Sequence, residues 1–325
     1  MKVSVIVVTY NSREFIGECL SSLYAESMAG ELEVLVVDND SHDGTADFIR
    51  EAFPQATMIE SGANLGFAAG NNLAFKKAGG DYLLLLNPDT QLIAGAISKL
   101  VEFMNQRPSC GICGGRLNSG EGTLLPSARR FPNVFYKLWM LSGLADRFPE
   151  SRIFGAYGYT YLDHEQPIEA DWVPGTFTIY RRDMLEQIGM FDERFFLYYE
   201  ETDLCLRARQ AGWQVFYNPQ AAITHLEGAC SKTRDDLAFE ITGAWISKFR
   251  MRSEVLFFRK NRGLFSLLAN MGLEVVWHML RWTINLIPWR LNAANKRQAS
   301  WQLIVQIFAA LMDTRWGTFS PPRPW

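Results

Sequence analysis

Several acidic residues of this chain stand where the backbone would have to expose them. Asp81 to Leu86 is an apolar run of buried-strand character that stops at Asn87-Pro88-Asp89-Thr90. Proline lacks a backbone N–H and cannot continue a central strand, so Asp89 is expected in the loop at the strand's carboxyl end. That edge is where open α/β sheets bind ligands. Much later, Phe191 to Asp203 sets Glu200, Glu201 and Asp203 beside Phe195-Phe196 and Tyr198-Tyr199, and His225 follows. A carboxylate oxygen from Asp89 and an imidazole nitrogen from His225 suit a divalent cation, Mg2+ or Mn2+, with a diphosphate completing its shell. Three acids next to four aromatics read as a cleft wall, against the plainer alternative of a solvated first helical turn. At a helix start such a carboxylate is favoured in its ionised form, as a general base requires.

The elements that must position these groups alternate. Apolar strand patterns at 3–9, 33–37, 57–60 and 82–86 are each followed by a helical pattern, at 13–24, 44–53, 66–77 and 92–105. This alternation predicts βαβ units and a mostly parallel sheet flanked by helices. Each strand ends in a polar cluster: Thr9-Tyr10-Asn11, Asp38-Asn39-Asp40-Ser41, then Asn87-Pro88-Asp89, all expected on one edge. Residues 116–170 show no dominant period and read as a functional flap or a substrate-shaped insertion. Strand patterns return at 176–180, 214–217 and 221–224, and helical ones at 181–188 and 200–211.

From residue 246 the pattern is helical, at 247–260, 264–286 and 299–312. The last 80 residues hold twelve Lys and Arg against three acids, a net of +9 in a chain of net −3, and six of its ten tryptophans. Basic, tryptophan-rich composition suits a bilayer surface, because indole settles at headgroup level and cations seek anionic lipid. Glu274, His278 and Arg281 fall on one stripe, which predicts an amphipathic helix lying on a membrane rather than crossing it. A packed hairpin or a homodimer contact is the alternative. No nucleic-acid partner is expected. The opening strand, without a basic and apolar leader, predicts a cytoplasmic protein peripheral to the inner face of the cell membrane. The five cysteines are accordingly expected as thiols, with Cys110-Gly111-Ile112-Cys113 a buried strand rather than half a metal site.

The ordered set of Val5-Ile6-Val7-Val8-Thr9-Tyr10-Asn11, Val37-Asp38-Asn39-Asp40-Ser41, Asn64 to Asn72, Asn87-Pro88-Asp89, Gly189 to Phe196, Glu200 to Arg207 and His225 resembles family 2 glycosyltransferases. It looks most like their rhamnosyltransferase branch. The resemblance implies a GT-A fold over 1–245, with a nucleotide-sugar half (1–115) and an acceptor half (116–245), followed by a helical extension at 246–325. It implies inverting transfer from a nucleotide-diphospho-sugar, dTDP-rhamnose foremost, to a bacterial surface polysaccharide or lipid-linked glycan. UDP-galactofuranose, UDP-N-acetylglucosamine and UDP-galactose are alternative donors, and a non-catalytic sugar-nucleotide binder is the alternative of another class.

The same resemblance distributes the residues. Thr9, Tyr10, Asn11, Asp38 and Asn39 would meet base and ribose, although Asp38 could equally cap the helix after it. Asn64, Gly66, Gly70 and Asn71 open a helix whose start can face phosphate, and helix packing would also explain the two glycines. Asn87 stands where many relatives carry a second acid, which puts more weight on His225 and on the resembling loop 226–231. The base role matches Glu201, a glutamate where aspartate is usual, with Glu200 and Asp203 as neighbours that share or replace it. Arg207, one turn beyond Asp203, is expected to buttress the cluster. Asp171, Trp172 and Gly175 look like an acceptor-side wall. Arg130, in the flap, could meet a phosphate.

Overall fold

A computed structural model describes residues 2–26, 32–225, 242–287 and 292–320. It divides into two compact units: Met1–Phe131 with Gly158–Glu193 and Glu200–Asp236, and Pro132–Tyr157 with Arg194–Tyr199 and Leu237–Trp325.

The first unit is a sheet with helices on both faces. Its strands are β1 (Val3–Thr9), β2 (Leu32–Asp38), β3 (Thr57–Glu60), β4 (Tyr82–Leu86), β5 (Thr90–Leu92), β6 (Cys110–Ser119), β7 (Leu124–Leu125), β8 (Ile168–Glu169), β9 (Phe177–Arg181) and β10 (Gln214–His225). They are ordered β3-β2-β1-β4-β9-β6-β10-β5, with β7 beside β6 and β8 beside β10. The first four run parallel, and β9 runs antiparallel to both β4 and β6. Because side chains alternate across a strand, Val3, Val5, Val7, Tyr82, Leu84 and Leu86 enter one core. Helices α1 (Ile16–Tyr24), α2 (Thr45–Ala52) and α4 (Ala96–Asn105) cover that face. Ile6, Leu83 and Leu85 enter the other core, under α3 (Gly66–Phe75), α7 (Arg182–Ile188) and α8 (Glu200–Gln210).

Three expectations change. Residues 90–92 are strand β5, which takes Leu92 from the helix expected at 92–105, because they pair antiparallel with the end of β10; α4 begins only after Gly95, whose positive φ closes the turn. The two short strands expected at 214–217 and 221–224 are one strand, β10, whose register shifts between Asn218 and Ala222. The unperiodic stretch 116–170 is not one flap. It supplies the end of β6, β7 and β8, and its centre forms α5 (Val134–Leu141) and α6 (Leu144–Arg147) in the second unit. Cys110 and Cys113 lie buried as thiols on β6, alongside the equally buried Cys19 and Cys205.

The second unit contains α5, α6, α9 (Thr242–Ile284) and α10 (Ala293–Asp313). Gly263, at φ 81°, breaks α9 into two halves. Arg252 near the start of α9 pairs with Asp313 at the end of α10, and Arg297 near the start of α10 reaches the Asn285 carbonyl. The two helices are therefore antiparallel. Inside this unit lies a charged knot: Lys137 bonds Glu254 at 2.7 Å and also Glu274, and Asn270 donates to Glu254 at 2.7 Å. Burial pushes the Glu254 carboxyl up, but Lys137 and Arg250 override it and hold it below its ordinary value. The stripe expected to face water is thus turned inward at Glu274 and His278, which are 4% exposed, and only Arg281 faces out.

The sheet centre tolerates no side chain at Gly115, where an added Cβ would stand 2.4 Å from the Phe177 ring and 2.7 Å from the Ala221 carbonyl oxygen. Gly115→Ala is expected to cost about 1–3 kcal/mol through overpacking and to lower the calorimetric melting temperature by several degrees. An unchanged melt would show that β6, β9 and β10 are looser here than this packing requires.

Candidate active site

The groups singled out in the sequence gather at the carboxyl ends of β1, β2 and β4. At β1 and β2, Asn39 N–H donates to the Thr9 carbonyl at 2.8 Å, and Ser41 N–H donates to Asp38 Oδ2 at 3.0 Å. Asn11 takes a left-handed backbone, φ 50°. Its N–H donates to Ser41 Oγ, and its side-chain oxygen accepts from His42 N–H at 2.8 Å. Asn11 therefore braces this edge. Thr9 Oγ1, Asp38 Oδ1 and Asn39 Oδ1 are buried without a hydrogen-bond partner among the described residues. Such orphans are costly unless a ligand satisfies them. Next to them a cleft of about 300 Å³ is lined by Asp38, Asp40, Ser41, Glu60 and Gly62 among others. Its carboxylates suit hydroxyl or amide donors rather than phosphate.

Helix α3 closes against this edge. Asn39 Nδ2 donates to the Gly66 carbonyl at 3.0 Å. A Cβ on Gly70 would stand 3.0 Å from Val8 and 3.2 Å from Asn39, so Gly70 lets the helix approach this edge closely. The Gly66 N–H is taken by Asn64 Oδ1 at 3.0 Å, and Asn71 bonds back to the Phe67 carbonyl. Packing and local capping thus account for Asn64, Gly70 and Asn71. Asn72, which sequence reasoning left without a role, pins the segment ahead of the acidic cluster. It donates to the Phe191 carbonyl and to Glu193, and accepts from Phe191 N–H. Its only signal in the sequence was that it belongs to the Asn71-Asn72 pair inside an otherwise small and apolar helix.

Past Asn87 and the buried Pro88, Asp89 lies 5% exposed. In the β5–β10 ladder Thr90 pairs with His225, which sets His225 Nε2 3.3 Å from Asp89 Oδ1. An oxygen and a nitrogen donor converge there. Among the described residues no cluster of three or more His, Cys, Asp or Glu could hold a metal alone. Two protein donors fit a cation whose remaining positions are filled by diphosphate and water. Loop 226–231 lies outside the described residues. Asn87 contributes through its backbone: its N–H donates to the Thr176 carbonyl at 2.9 Å, and its carbonyl accepts from Thr90 Oγ1.

That bond leads to the acids. Gly175, adjacent to Thr176, donates its N–H to Glu201 Oε1 at 3.2 Å, and a Cβ on Gly175 would meet Phe67 at 3.0 Å and Glu201 Cγ at 3.3 Å. Burial pushes the Glu201 carboxyl above its ordinary value, against the backbone N–H groups of Glu201 and Gly175 and a bond from Glu200. Desolvation here outweighs the helix start, which alone would favour the ionised form. Glu200 and Asp203 are buried. Asp203 pairs with Arg207 at 2.9 Å, whose guanidinium also donates to the carbonyls of Ile188, Gly189 and Met190. Tyr198 and Tyr199, just before Glu200, both have positive φ, a conformation that large side chains adopt only under constraint.

The acceptor-side candidates knit the loop at 129–131 to the chain before Pro174. Asp171 Oδ2 accepts from Phe131 N–H at 2.9 Å, and Trp172 Nε1 donates to the Arg130 carbonyl at 2.9 Å. The Arg130 guanidinium lies 4.9 Å from the Tyr159 ring centre and reaches the Tyr161 hydroxyl. Their visible contacts are structural.

The sheet order, the acid after β4 and the paired histidine describe a nucleotide-sugar transferase fold of the GT-A type. Residues 4–189 match the sequence model of glycosyl transferase family 2, and the chain belongs to that family. It is 32% identical over 235 residues to the N-acetylglucosaminyl-diphospho-decaprenol L-rhamnosyltransferase of Mycobacterium tuberculosis, covering 68% of this chain and 75% of that one. It is 26% identical over 245 residues to rhamnosyltransferase WbbL of Escherichia coli, covering 69% and 83%. A mannosyltransferase from Pyrobaculum calidifontis, solved with GDP-Man and Mn2+, superposes with a TM-score of 0.57 at 20% identity over 97% of this chain and 87% of that one. The chain is a glycosyltransferase of the rhamnosyltransferase-like branch.

Removing the buried Asp203 charge leaves Arg207 facing backbone carbonyls without its counter-ion. Asp203→Asn is expected to lower stability by about 3 kcal/mol, as for other broken buried pairs, read from urea denaturation, with activity falling alongside. Full stability with lost turnover would instead give Asp203 a direct chemical role.

Proposed function

We propose that this enzyme is an inverting, metal-dependent rhamnosyltransferase that moves L-rhamnose from dTDP-rhamnose to a lipid-linked glycan on the cytoplasmic side of the membrane. The observation that carries the reading is the continuous path along one sheet edge, from the Asp89–His225 pair through Asn87 and Thr176 to Gly175 and Glu201. A site for the leaving diphosphate and a candidate base are thereby linked through a few backbone bonds. The rhamnose and the lipid-linked acceptor follow the activity named for the mycobacterial relative, and dTDP follows the resemblance drawn from the motifs.

In this reading the orphaned oxygens of Thr9, Asp38 and Asn39 accept from the donor's base and ribose. Asp89 and His225 hold the cation, which when bound supplies counter-charge to the diphosphate. Glu201 takes the proton of the acceptor hydroxyl while that oxygen bonds to the anomeric carbon. The bond from carbon to diphosphate oxygen breaks on the opposite face, so configuration inverts. The Gly175 N–H holds the carboxylate of Glu201 in place.

Two measurements test this. Glu201→Gln keeps the shape and removes the proton acceptor, so turnover should fall roughly 10²–10⁴-fold with dTDP-rhamnose affinity within about twofold. Because burial raises the Glu201 pKa, the base form fills only as pH rises through that raised value. The kcat/KM of the native enzyme should therefore fall toward acid with a midpoint above the ordinary glutamate value. If Glu200→Gln abolishes turnover while Glu201→Gln does not, the base is Glu200. Separately, chelator should abolish transfer and Mg2+ or Mn2+ restore it, and Asp89→Ala should lose metal-dependent donor binding. Full transfer in excess EDTA would remove the metal from the scheme.

A further inference from the structure

The helical unit buries charge among its apolar core and exposes a large apolar area on its outer face. In the second half of α9 the inward stripe is Leu267, Met271, Glu274 and His278, spaced four, three and four, while Phe265, Leu268, Val276 and Leu280 face out. Phe265 is 87% exposed. Helix α10 buries Ile304, Ile307 and Leu311 yet also turns apolar groups outward: Trp301, Val305, Phe308 and Met312, spaced four, three and four, are all at least half exposed. Residues 248–284 form a helical stretch long and apolar enough to cross a membrane, yet only 28% of its most apolar window is buried. A core helix of a soluble protein would bury most of it. Charge is sorted the same way. Within 246–325 the three acids, Glu254, Glu274 and Asp313, pair with Lys137 and Arg252, while Arg262, Arg281 and Lys296 are exposed. The exposed acids Asp146 and Glu150 are matched in number by the exposed Arg147 and Arg152.

We propose that this outward face inserts from one side into the anionic leaflet of a lipid bilayer, with the α9 and α10 stripes in the acyl region and the exposed cations at the phosphates. Trp282 would sit at headgroup depth. In the second half of α9 the inward stripe carries Glu274 and His278, which suits insertion of the outward face to partial depth rather than a span. A second copy is the poorer occupant, because a two-fold contact through this face would set like cations against each other. The inference is independent of the reaction proposed above, since its test reads binding and not turnover.

The full-length protein is sedimented with vesicles of phosphatidylcholine alone or mixed with phosphatidylglycerol. Binding is expected to the anionic vesicles and to weaken with salt. Phe265→Asp and Phe308→Asp should each weaken it about tenfold or more while leaving the thermal melt unchanged, since both side chains are exposed. Equal binding to both vesicle types at low salt would overturn the electrostatic part. Binding untouched by both substitutions would overturn the insertion, as would a dimer seen by light scattering that Phe308→Asp dissociates in a protein that ignores vesicles.

Discussion

The site depends on one short piece of antiparallel pairing. Three residues after Pro88 leave the parallel sheet and pair with the last turn of β10, and the register places His225 opposite Thr90. Because the pairing of strands is periodic by two, a one-residue slip would turn the imidazole to the other face of the sheet. The 3.3 Å approach of His225 to Asp89 is thus set by backbone register rather than by the two side chains finding each other. The Asn87 bonds to Thr176 and Thr90 tie the same loop to the start of β9, and β9 enters from the carboxyl edge because it runs antiparallel to β4. The residue before that strand, Gly175 with its N–H on Glu201, inherits its position from this arrangement.

Both units have apolar cores, but they place polar and apolar groups differently around them. In the sheet unit, apolar side chains fill both faces, and the oxygens of Thr9, Asp38 and Asn39 that lack a partner among the described residues stand at the carboxyl ends of β1 and β2. In the helical unit a charged knot of Lys137, Glu254 and Glu274 lies inside among buried apolar residues such as Phe257, Met271 and Ile307, and further apolar stripes lie outside. Replacing such a knot by apolar residues often costs nothing in stability, so its retention is not explained by stability alone. In the proposed setting it leaves the outer faces of α9 and α10 to lipid.

How much of this was legible in the residues depended on range. The strands β1 to β4 and the polar clusters ending them were readable because a continuous apolar run and its breaker are local signals. Asp89 and the Asp203–Arg207 pair at spacing four followed from the same kind of signal. Strand β5 was not, since Thr90-Gln91-Leu92 has no pattern of its own and is a strand only because β10 lies beside it. The inward turn of Glu274 was equally invisible: a charged residue three and four from its like reads as a wet stripe until Lys137, from a distant helix, is seen to meet it. The raised pKa of Glu201 also required tertiary burial, which the helix start in the sequence could not reveal. Where Asn64 and Gly70 looked like a phosphate cradle, the structure supplies local bonds and close packing.

The proposed cation between Asp89 and His225 is the central claim, and it can be read at the metal itself. Electron spin-echo spectroscopy of the protein with Mn2+ and dTDP should show modulation from an imidazole nitrogen, and His225→Gln should erase it while dTDP remains bound. Absence of nitrogen coupling in the native ternary complex, or its persistence in His225→Gln, would contradict the account.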